Sequence, residues 1–552
     1  MDRRNDSIGI YIHIPFCKSK CYYCDFNSYA GRENLAGSYF DALYKEIMLR
    51  SRRLGGRQVC SVFIGGGTPS LVDPGYITKL IDVCREHFHV VDDAEISMES
   101  NPGTLTYDRL RAYRDAGVNR LSIGLQAWQD RILKSIGRIH NRQQFVDNLK
   151  AAEECGFDNI NVDLIFGLPG QTLGDWMETL EAVTGFGPAK HVSGQSEHRP
   201  GPVKHISCYS LAIEEGTVFG DRLDAGLLEP VDDELDREMY HRAVDTLAEK
   251  GFRLYEISNF AVPGYECRHN LLYWKAKEYA GFGAGAHSYL DAVRFNNVYG
   301  IEEYIRAVDN AYNRNKYNRY ACGRCEYNRN ECNRYTCSSY VYDGNGFVGT
   351  EGDADPAIPG RNANRDSGED MAYCKDNADA CMETAAGEAE DHASVAVGPG
   401  RMKKGDSAAY SSGANSCPDA AGSGFLKDMD GLHENFDVID KEGAMSEFMI
   451  LGLRLTEGVS SAEFEERFGE RLEDKYGGKL DMLAAKGLIE AENMLAGTVG
   501  CGADRRSSEI PSGESCNADE SCKEAGSCKP DRSYKLTRLG FDLANTVFVE
   551  FI

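Results

Sequence analysis

Short strand patterns alternate with amphipathic helical patterns through residues 1–300, and this alternation limits the folds open to the chain. In the first predicted strand, the isoleucines from Ile8 to Ile14 share one face, while Tyr11 and His13 occupy the other. Further strands are predicted at 60–64, 94–98, 120–125, 158–165 and 205–211. Helices are predicted at 34–53, 74–88, 106–116, 142–156 and 173–184. Six strand–helix alternations predict a parallel sheet of the α/β class, closed as a curved partial barrel.

Residues suited to chemistry follow the carboxyl ends of these predicted strands, where barrels of this kind collect their active sites. They are Cys17, Cys21 and Cys24 after the first strand, Gly65 to Pro69 after the second, Glu99 after the third, Gln126 after the fourth, Asp163 near the end of the fifth, and Tyr209 and Ser210 on the sixth. We therefore expect one shared site at this rim.

Composition narrows the classes of function. The 552 residues include 87 Asp and Glu against 61 Lys and Arg, a formal net charge of −26, which argues against nucleic acid as the main partner. No run of eighteen apolar residues is present, and the N-terminal sequence lacks a signal-peptide pattern. We expect a cytoplasmic protein. Nineteen cysteines in such a protein favour metal or redox chemistry over a disulfide framework.

Two segments differ in composition from the rest of the chain. Residues 313–437 and 497–532 hold eleven of the nineteen cysteines and are rich in Gly, Ala, Asp and Ser. Such sequences bury too little apolar surface to offset their ordering entropy, so we expect both to be low-complexity, largely disordered inserts. The remaining sequence then forms a core at 1–312 and a C-terminal domain at 438–552. The cysteines of the first insert could bind zinc or a second metal, but incidental cysteines in a repeat-derived loop are the stronger interpretation.

The C-terminal domain is predicted to be small and mostly helical. Three short amphipathic helices are followed by a strand-like turn and a last helix, a pattern like a winged helix. Acidic residues dominate 457–479, so no basic face for reading DNA is expected. We expect this domain to cover the barrel opening or to meet a partner.

The spacing of Cys17, Cys21 and Cys24 is the sharpest chemical signal in the chain. Three thiolates on one loop can hold a 4Fe-4S cluster and leave one iron open to the amino and carboxylate groups of S-adenosylmethionine. A zinc site with a distant fourth ligand, or buried cysteines without metal, remain open alternatives.

With an aromatic residue before its last cysteine, this motif resembles the signature of the radical SAM superfamily, and the resemblance extends along the chain. The matching runs are IYIHIPFCKSKCYYCDF, FIGGGTPS, RLSIGLQAWQD, NVDLIFGLPGQT and GAGAHSY. They are similar to the family of oxygen-independent coproporphyrinogen III oxidases and its heme-chaperone relatives, the HemW group. The resemblance covers about 1–312 and, more weakly, 440–496 and 533–552. It implies a partial (βα)6 radical SAM barrel.

The resemblance also implies roles for individual residues. The positions that match S-adenosylmethionine contacts are Tyr11, Gly66, Gly67, Thr68, Glu99, Gln126, Arg138 and Asp163. Glycines allow the main chain to approach a ligand closely, and carboxylates suit ribose hydroxyls or an ammonium group. Taken alone, the glycine run would be an ordinary tight turn, and the two carboxylates would be solvated strand ends.

Two features favour the chaperones over the oxidases. The oxidases carry a further cysteine two positions after the last cluster ligand, where this chain has Phe26. The segment CRHNLLYW matches the HNxxYW pattern of the heme chaperones, which implies heme contacts by His269, Tyr273 and Trp274. Without the resemblance, His269 would be a hydrogen-bonded structural histidine beside packed aromatic residues.

The resemblance thus predicts a heme chaperone that carries a 4Fe-4S cluster and exchangeable S-adenosylmethionine and delivers heme to an acceptor protein. It also implies a flavodoxin-like or ferredoxin-like electron donor and transient membrane contact through the acceptor. The first alternative is a coproporphyrinogen III oxidase of porphyrin biosynthesis, which decarboxylates propionates oxidatively by a radical mechanism. A radical enzyme with another substrate is the second.

Overall fold

A computed structural model describes residues 7–54, 56–188, 201–323, 340–342, 347–349, 431–493 and 531–552. The chain divides into two units. The larger consists of Met1–Asn315 and Ala396–Ile552, and the smaller is Lys316–Val395.

The first part of the larger unit alternates strands and helices. In chain order its elements are β1 (Ile8–Ile14), β2 (Phe16–Cys17), β3 (Tyr29–Ala30), α1 (Ala36–Leu54), β4 (Gln58–Gly66), α2 (Pro74–His87), β5 (His89–Ser100), α3 (Tyr107–Ala116), β6 (Arg120–Gln126), α4 (Asp130–Ser135), α5 (Arg142–Glu154), β7 (Ile160–Phe166), α6 (Leu173–Thr184) and β8 (Val203–Ser210). There follow α7 (Val218–Asp224), α8 (Asp233–Glu249), β9 (Arg253–Glu256), β10 (Asn259–Ala261), α9 (Arg268–Trp274), β11 (Tyr279–Phe282), β12 (His287–Leu290), β13 (Val293–Asn297) and α10 (Ile301–Gly323).

Seven of these strands form a continuous parallel sheet in the order β11-β1-β4-β5-β6-β7-β8. The six predicted strands and the α/β barrel class are thereby confirmed. The seventh strand, β11, is too short to give a recognisable sequence pattern. Antiparallel strands extend the sheet at both ends, with β12 and β13 beyond β11, and β10 and β9 beyond β8.

The two faces of β1 explain how the barrel core forms. The isoleucines from Ile8 to Ile14 are fully buried and pack in the main hydrophobic core with residues of α1. Because side chains alternate along a strand, Tyr11 and His13 point to the opposite, inner face. Capping fixes the helix starts: for example, Asn141 and Gln144 form a reciprocal capping box at the start of α5.

The ends of the first predicted insert are corrected by the structure. Helix α10 runs on to Gly323, past the expected boundary at residue 313. At the far end, β16 (His433–Val438) pairs with β13 and forms an edge of the large sheet, so 433–437 do not belong to a disordered insert. Composition missed β16 because backbone pairing with β13, rather than apolar content, holds its residues. In the smaller unit, β14 (Tyr340–Tyr342) and β15 (Phe347–Gly349) form an antiparallel pair. The rest of the expected insert, 324–339, 343–346 and 350–430, lies outside the described residues, as do 494–530.

The C-terminal domain has its own hydrophobic core, centred on residues such as Met449, Phe464 and Leu480. Its elements are α11 (Lys441–Gly452), β17 (Val459–Ser460), α12 (Ser461–Phe468), α13 (Leu472–Ala485), β18 (Ile489–Asn493), β19 (Arg532–Leu536), α14 (Arg538–Asp542) and α15 (Ala544–Phe548). The strands form a small antiparallel sheet in the order β17-β19-β18, so the mostly helical prediction is confirmed. In the part of the chain that the structure describes, no helix combines the length and the apolar character needed to span a membrane.

Candidate cofactor site at the barrel mouth

Cys17, Cys21 and Cys24 lie on one loop that leaves the carboxyl end of β1. This thiol loop, residues 17–28, is closed at its base where β2 pairs with β3. All three cysteines are half-buried and free of disulfides. Within the loop, the backbone N–H of Cys24 donates to the Cys21 carbonyl at 3.2 Å, which forms a tight turn between the last two cysteines.

Polar side chains hold the thiol loop against the barrel. Lys20 Nζ donates to the carbonyl of Phe26 at 2.5 Å and to the carbonyl of Ser28 at 3.2 Å. Asn27 Nδ2 donates to the carbonyls of Ala284 and Tyr299, both at 3.1 Å. The loop is therefore fixed from within and from the segment after β11.

The thiols interact electrostatically with one another. Burial raises the pKa of Cys24 to about 11, the Lys20 charge opposes this rise, and repulsion from Cys21 and Cys17 adds to it. Among the described residues, no group of three or more His, Cys, Asp or Glu is arranged to hold a single metal ion. A 4Fe-4S cluster makes a different demand, because each thiolate binds its own iron and three thiols on one braced loop suffice.

A glycine segment joins the end of β4 to the thiol loop. The N–H of Gly67 donates to the Ile14 carbonyl, and the N–H of Thr68 donates to the Phe16 carbonyl, both at 2.8 Å. Gly66 has φ +112°, and a Cβ there would lie 2.5 Å from the His13 ring. These contacts exclude side chains at Gly66 and bring the main chain of β4 beside the cysteines.

A hydrogen-bonded chain then links the glycine segment to the cysteines. Thr68 Oγ1 lies 3.6 Å from Cys17 Sγ and accepts from Asn101 Nδ2 at 2.8 Å. Arg138 Nη2 donates to Asn101 Oδ1 at 2.5 Å, and Arg138 Nη1 lies 3.5 Å from Cys21 Sγ. Sequence reasoning missed Asn101, although its position just after β5 was a usable signal.

The two carboxylates of the rim are half-buried rather than solvated strand ends. Glu99 Oε2 accepts from the Gly66 N–H at 2.9 Å, and burial followed by repulsion from Asp163 raises the pKa of Glu99 to about 7. Asp163 accepts from Ser122 Oγ at 2.7 Å and from Asn161 Nδ2 at 2.8 Å. Burial raises the pKa of Asp163, and these hydrogen bonds oppose the rise. Sequence reasoning also missed Ser122 and Asn161.

Tyr11 and Gln126 complete the inner wall. The Tyr11 hydroxyl hydrogen bonds with His13 Nδ1 at 2.9 Å, and its ring stacks on Phe63 with centroids 6.2 Å apart. Gln126 is buried with φ +72°, a strained conformation for a residue other than glycine. The residues predicted to contact S-adenosylmethionine thus come from the carboxyl halves of β1, β4, β5, β6 and β7 and the segment after α4, around one opening.

The HNxxYW segment forms the short helix α9, which borders the inner wall of the site. Its N-terminal N–H groups at Arg268 and His269 donate to the Glu95 carboxylate at 2.9 and 3.2 Å. Glu95 precedes Glu99 by four residues on β5, which places the N-terminus of α9 about 13 Å deeper along the strand. The His269 ring stacks on Phe63 with centroids 5.3 Å apart, and Phe63 in turn stacks on Tyr11.

The residues expected to contact heme are packed inside the protein in this structure. His269 is fully buried, with Nδ1 hydrogen-bonded to Ser61 Oγ at 2.9 Å and Nε2 to the Tyr273 hydroxyl at 2.8 Å. Trp274 is 7% exposed and lies under the Arg454 guanidinium, 4.3 Å from its ring centroid. Both ring nitrogens of His269 are thus occupied inside the protein in this conformation, and the heme contacts expected of His269, Tyr273 and Trp274 stay predictions.

Two family descriptions match the chain. Residues 11–183 match the radical SAM superfamily, and residues 439–494 match the HemN C-terminal domain. The first range contains the thiol loop and every residue of the mouth described above. The second covers α11 to β18.

Curated proteins match about half of the chain. The heme chaperone HemW of Bacillus subtilis is 38% identical over 299 residues, which cover 54% of this chain and 75% of that protein. The heme chaperone HemW of Escherichia coli is 38% identical over 283 residues, which cover 51% of this chain and 69% of that protein. Among solved structures, the coproporphyrinogen III oxidase HemN of Escherichia coli has the same fold, with a TM-score of 0.60 at 18% identity over 99% of this chain and 90% of that one. The chain therefore belongs to the HemW family of the radical SAM superfamily.

Proposed function

We propose that this protein is a heme chaperone that holds a 4Fe-4S cluster on Cys17, Cys21 and Cys24, carries exchangeable S-adenosylmethionine beside it, and transfers heme to an acceptor protein. One observation carries the proposal. The thiol loop and the glycine–carboxylate wall meet at a single opening, through the contacts Thr68–Cys17 and Arg138–Cys21. Family membership supplies the chaperone role.

The chain's own residues suit S-adenosylmethionine. A 4Fe-4S cluster with three thiolate ligands offers an open iron to the amino and carboxylate groups of this cofactor. Gly66 and Gly67 bring the main chain of the β4 end close to the thiol loop, since a Cβ at either would clash with His13 or with the main chain of Ile14 and Phe16. Glu99 and Asp163 supply acceptors for ribose hydroxyls or an ammonium group, and Arg138 supplies positive charge next to Cys21.

Phe26 supports the chaperone over the oxidase. The oxidases, as the resemblance describes them, have a cysteine at this position, and here the side chain is an exposed phenyl ring, 50% accessible. A phenyl ring supplies apolar surface for a flat porphyrin but no thiol. We therefore propose that decarboxylation of coproporphyrinogen III is not the main activity.

The partners follow from the same proposal. An acceptor protein receives the heme, and a flavodoxin-like or ferredoxin-like donor reduces the cluster. Lys18 and Lys20 are exposed on the thiol loop of a chain with net charge −26, and they would favour the approach of an acidic electron donor. Contact with a membrane would come through the acceptor.

The test is a parallel assay on one anaerobically reconstituted preparation. Heme titration should give a Soret band that saturates, and heme should then move to an apo-acceptor. Coproporphyrinogen III should stay at background turnover with reductant and S-adenosylmethionine. Rapid formation of protoporphyrinogen, or heme binding no tighter than that of an unrelated protein, would reverse the choice between chaperone and oxidase.

A further inference from the structure

Behind Asp163, a line of buried polar side chains runs from the cofactor site into the barrel. Asn161 lies two residues before Asp163 on β7, so the two side chains share one face of the strand. His205 of β8 is the cross-strand neighbour of Asn161 on one side, and Ser122 of β6 is its neighbour on the other. Asn161, His205 and Ser122 are each 5% exposed or less. They lie one step behind the carboxylate that is predicted to contact S-adenosylmethionine.

The hydrogen bonds along this line have a common direction. Asn161 Nδ2 donates to Asp163 Oδ1 at 2.8 Å and to Ser122 Oγ at 2.7 Å, so the amide oxygen of Asn161 is turned away from the carboxylate. That oxygen lies 2.7 Å from His205 Nδ1. On the far side of the ring, His205 Nε2 lies 2.9 Å from the Tyr255 hydroxyl.

The tautomer of His205 follows from these partners. Burial, and then the charge of Arg120, lower the pKa of His205 well below its ordinary value, so the ring is neutral and carries one N–H. Because an amide oxygen can only accept, the N–H is at Nδ1, and Nε2 accepts from the Tyr255 hydroxyl. A single series of donors therefore runs from Tyr255 through His205 and Asn161 to the Asp163 carboxylate.

Asp163 depends on neutral donors for its orientation. It is half-buried at the barrel mouth, and among the described residues it forms no ion pair. Asn161 holds one of its oxygens, and Ser122 Oγ donates to the other at 2.7 Å. The amide of Asn161 is itself oriented by His205. Control of this carboxylate thus extends two residues back from the cofactor site.

The same sequence of histidine, asparagine and carboxylate occurs at a second place in the larger unit. His433 Nδ1 lies 2.8 Å from Asn297 Oδ1, and Asn297 Nδ2 donates to Glu46 at 2.9 Å. There the carboxylate is fully buried and is paired with Arg50 at 2.9 Å. The second series therefore ends in an enclosed ion pair, whereas the first ends in a carboxylate that remains partly accessible to a ligand.

We propose that His205 is a positioning residue for S-adenosylmethionine, which acts through Asn161 to hold Asp163 as an oriented hydrogen-bond acceptor. His205 does not touch the cofactor itself. Donors bonded in series orient one another, so loss of the His205 N–H leaves the Asn161 amide free to turn its oxygen toward the carboxylate. The inference rests on the proposed function and adds a buried residue to its cofactor site.

Calorimetric titration of S-adenosylmethionine into full-length, cluster-reconstituted protein tests the proposal. His205→Leu removes the donor, and we expect the affinity to fall about tenfold. His205→Asn keeps an N–H close to the Nδ1 position, so its affinity should stay within about twofold of wild type. His433→Leu is the matched control from the enclosed series and should leave the affinity unchanged.

A double variant tests whether His205 acts through Asn161. Once Asn161→Leu has removed the amide, addition of His205→Leu should weaken binding by no more than about twofold further. Tyr255→Phe provides a milder second variant, because it removes only the hydroxyl that fixes the His205 tautomer. We expect it to weaken binding about threefold.

Cluster absorbance and the thermal unfolding midpoint establish that each variant is folded. If cluster-loaded wild-type protein does not bind S-adenosylmethionine, the cofactor part of the proposed function falls and this inference falls with it. If wild-type protein binds it and folded His205→Leu keeps full affinity, the function stands and the role of His205 is overturned. Where His205→Leu does not fold, full affinity in Tyr255→Phe decides in the same way.

Three further outcomes would also overturn the role of His205. They are an equal loss of affinity in His433→Leu, a loss in His205→Asn as large as in His205→Leu, and additive losses in the double variant. Each would show that the histidine contributes packing alone.

Discussion

Individual side chains at the barrel mouth are held by partners from different strands. Asn101 donates a hydrogen bond to Thr68 and accepts one from Arg138. Glu99 accepts from the Gly66 N–H and is repelled by Asp163. Each of these hydrogen bonds limits the orientations open to the side chain that makes it. The ionised forms of the two carboxylates are disfavoured, because the acidic groups lie near each other and burial limits their hydration.

Glu99 should make stability depend on pH. Its folded pKa, about 7, lies above its ordinary value of 4.5, so the folded state binds the proton more tightly. The stabilisation is complete below pH 4.5 and is lost as pH rises through about 7. Glu99→Gln should therefore raise the free energy of unfolding of the cofactor-free protein by about 1–3 kcal/mol at pH 8 and have little effect at pH 4.5. Urea unfolding at both pH values checks this, and an equal gain at both would contradict it.

Asn101 should matter for cofactor affinity. In Asn101→Ala, Thr68 and Arg138 lose their common partner, and the guanidinium is no longer oriented beside Cys21. We expect S-adenosylmethionine to bind about tenfold more weakly, a loss of about 1.4 kcal/mol, while cluster absorbance is kept. Calorimetric titration of reconstituted protein measures the change. An unchanged affinity would show that Asn101 serves packing alone.

The cluster should depend on the three loop cysteines. Replacing Cys17, Cys21 or Cys24 singly by Ser should abolish the anaerobic absorbance and electron paramagnetic resonance signal of a 4Fe-4S cluster. Cys60 provides the control because it is half-buried on the neighbouring β4, with its thiol directed to the Ile8 carbonyl. Cys60→Ser should reconstitute normally. A full cluster signal in Cys24→Ser would reject the assignment.

At the scale of elements, α9 is anchored by hydrogen bonds at its N-terminus. The Glu95 carboxylate accepts from the helix N-terminus, a favourable place for negative charge. Gly9 of β1 makes room for the helix, since a Cβ there would lie 2.5 Å from Leu272 Cδ1. The HNxxYW helix is therefore packed closely against β1 and β5.

His269→Ala should consequently act on stability. The change leaves Ser61 and Tyr273 without their partner and opens a cavity, for an expected loss of about 2–4 kcal/mol in the free energy of unfolding. Chemical unfolding of the cofactor-free variant measures it. The folded variant should still take up the cluster. A variant with wild-type stability would contradict the structural role of the histidine.

At the scale of the whole molecule, the C-terminal domain docks on the barrel through charged and aromatic contacts. Arg454 lies over Trp274 and pairs with the buried Glu256 at 3.5 Å, and Arg294 of β13 pairs with Glu447 of α11. Both sides of these contacts belong to the larger unit. Residues 324–432 connect α10 to β16.

Removal of most of these connecting residues should leave the binding of cluster and heme unchanged. Replacing 324–430 by a flexible Gly/Ser linker keeps α10, Leu432 and β16, and we expect cluster loading and heme binding at wild-type levels. Replacing 313–437 removes nearly all of β16 and the end of α10, and should lower the thermal midpoint because β13 loses one of its two partner strands. The two deletions, compared by thermal unfolding and cluster absorbance, form a matched pair. Failure of the shorter deletion to fold would show that the segment contributes to the core.

Sequence alone determined the barrel class and the thiol motif, because the spacing of strands, helices and cysteines involves residues that are close together in the chain. It placed Glu99, Gln126 and Asp163 at strand ends, where parallel topology brings such residues to one edge. It could not supply Asn101, or the pKa of Glu99, since these depend on which side chains from separate strands meet. The surroundings of His269 were likewise decided by tertiary structure. Folding places its ring between the Ser61 and Tyr273 hydroxyls and against Phe63, because residues of β4 and α9 meet only in the folded chain.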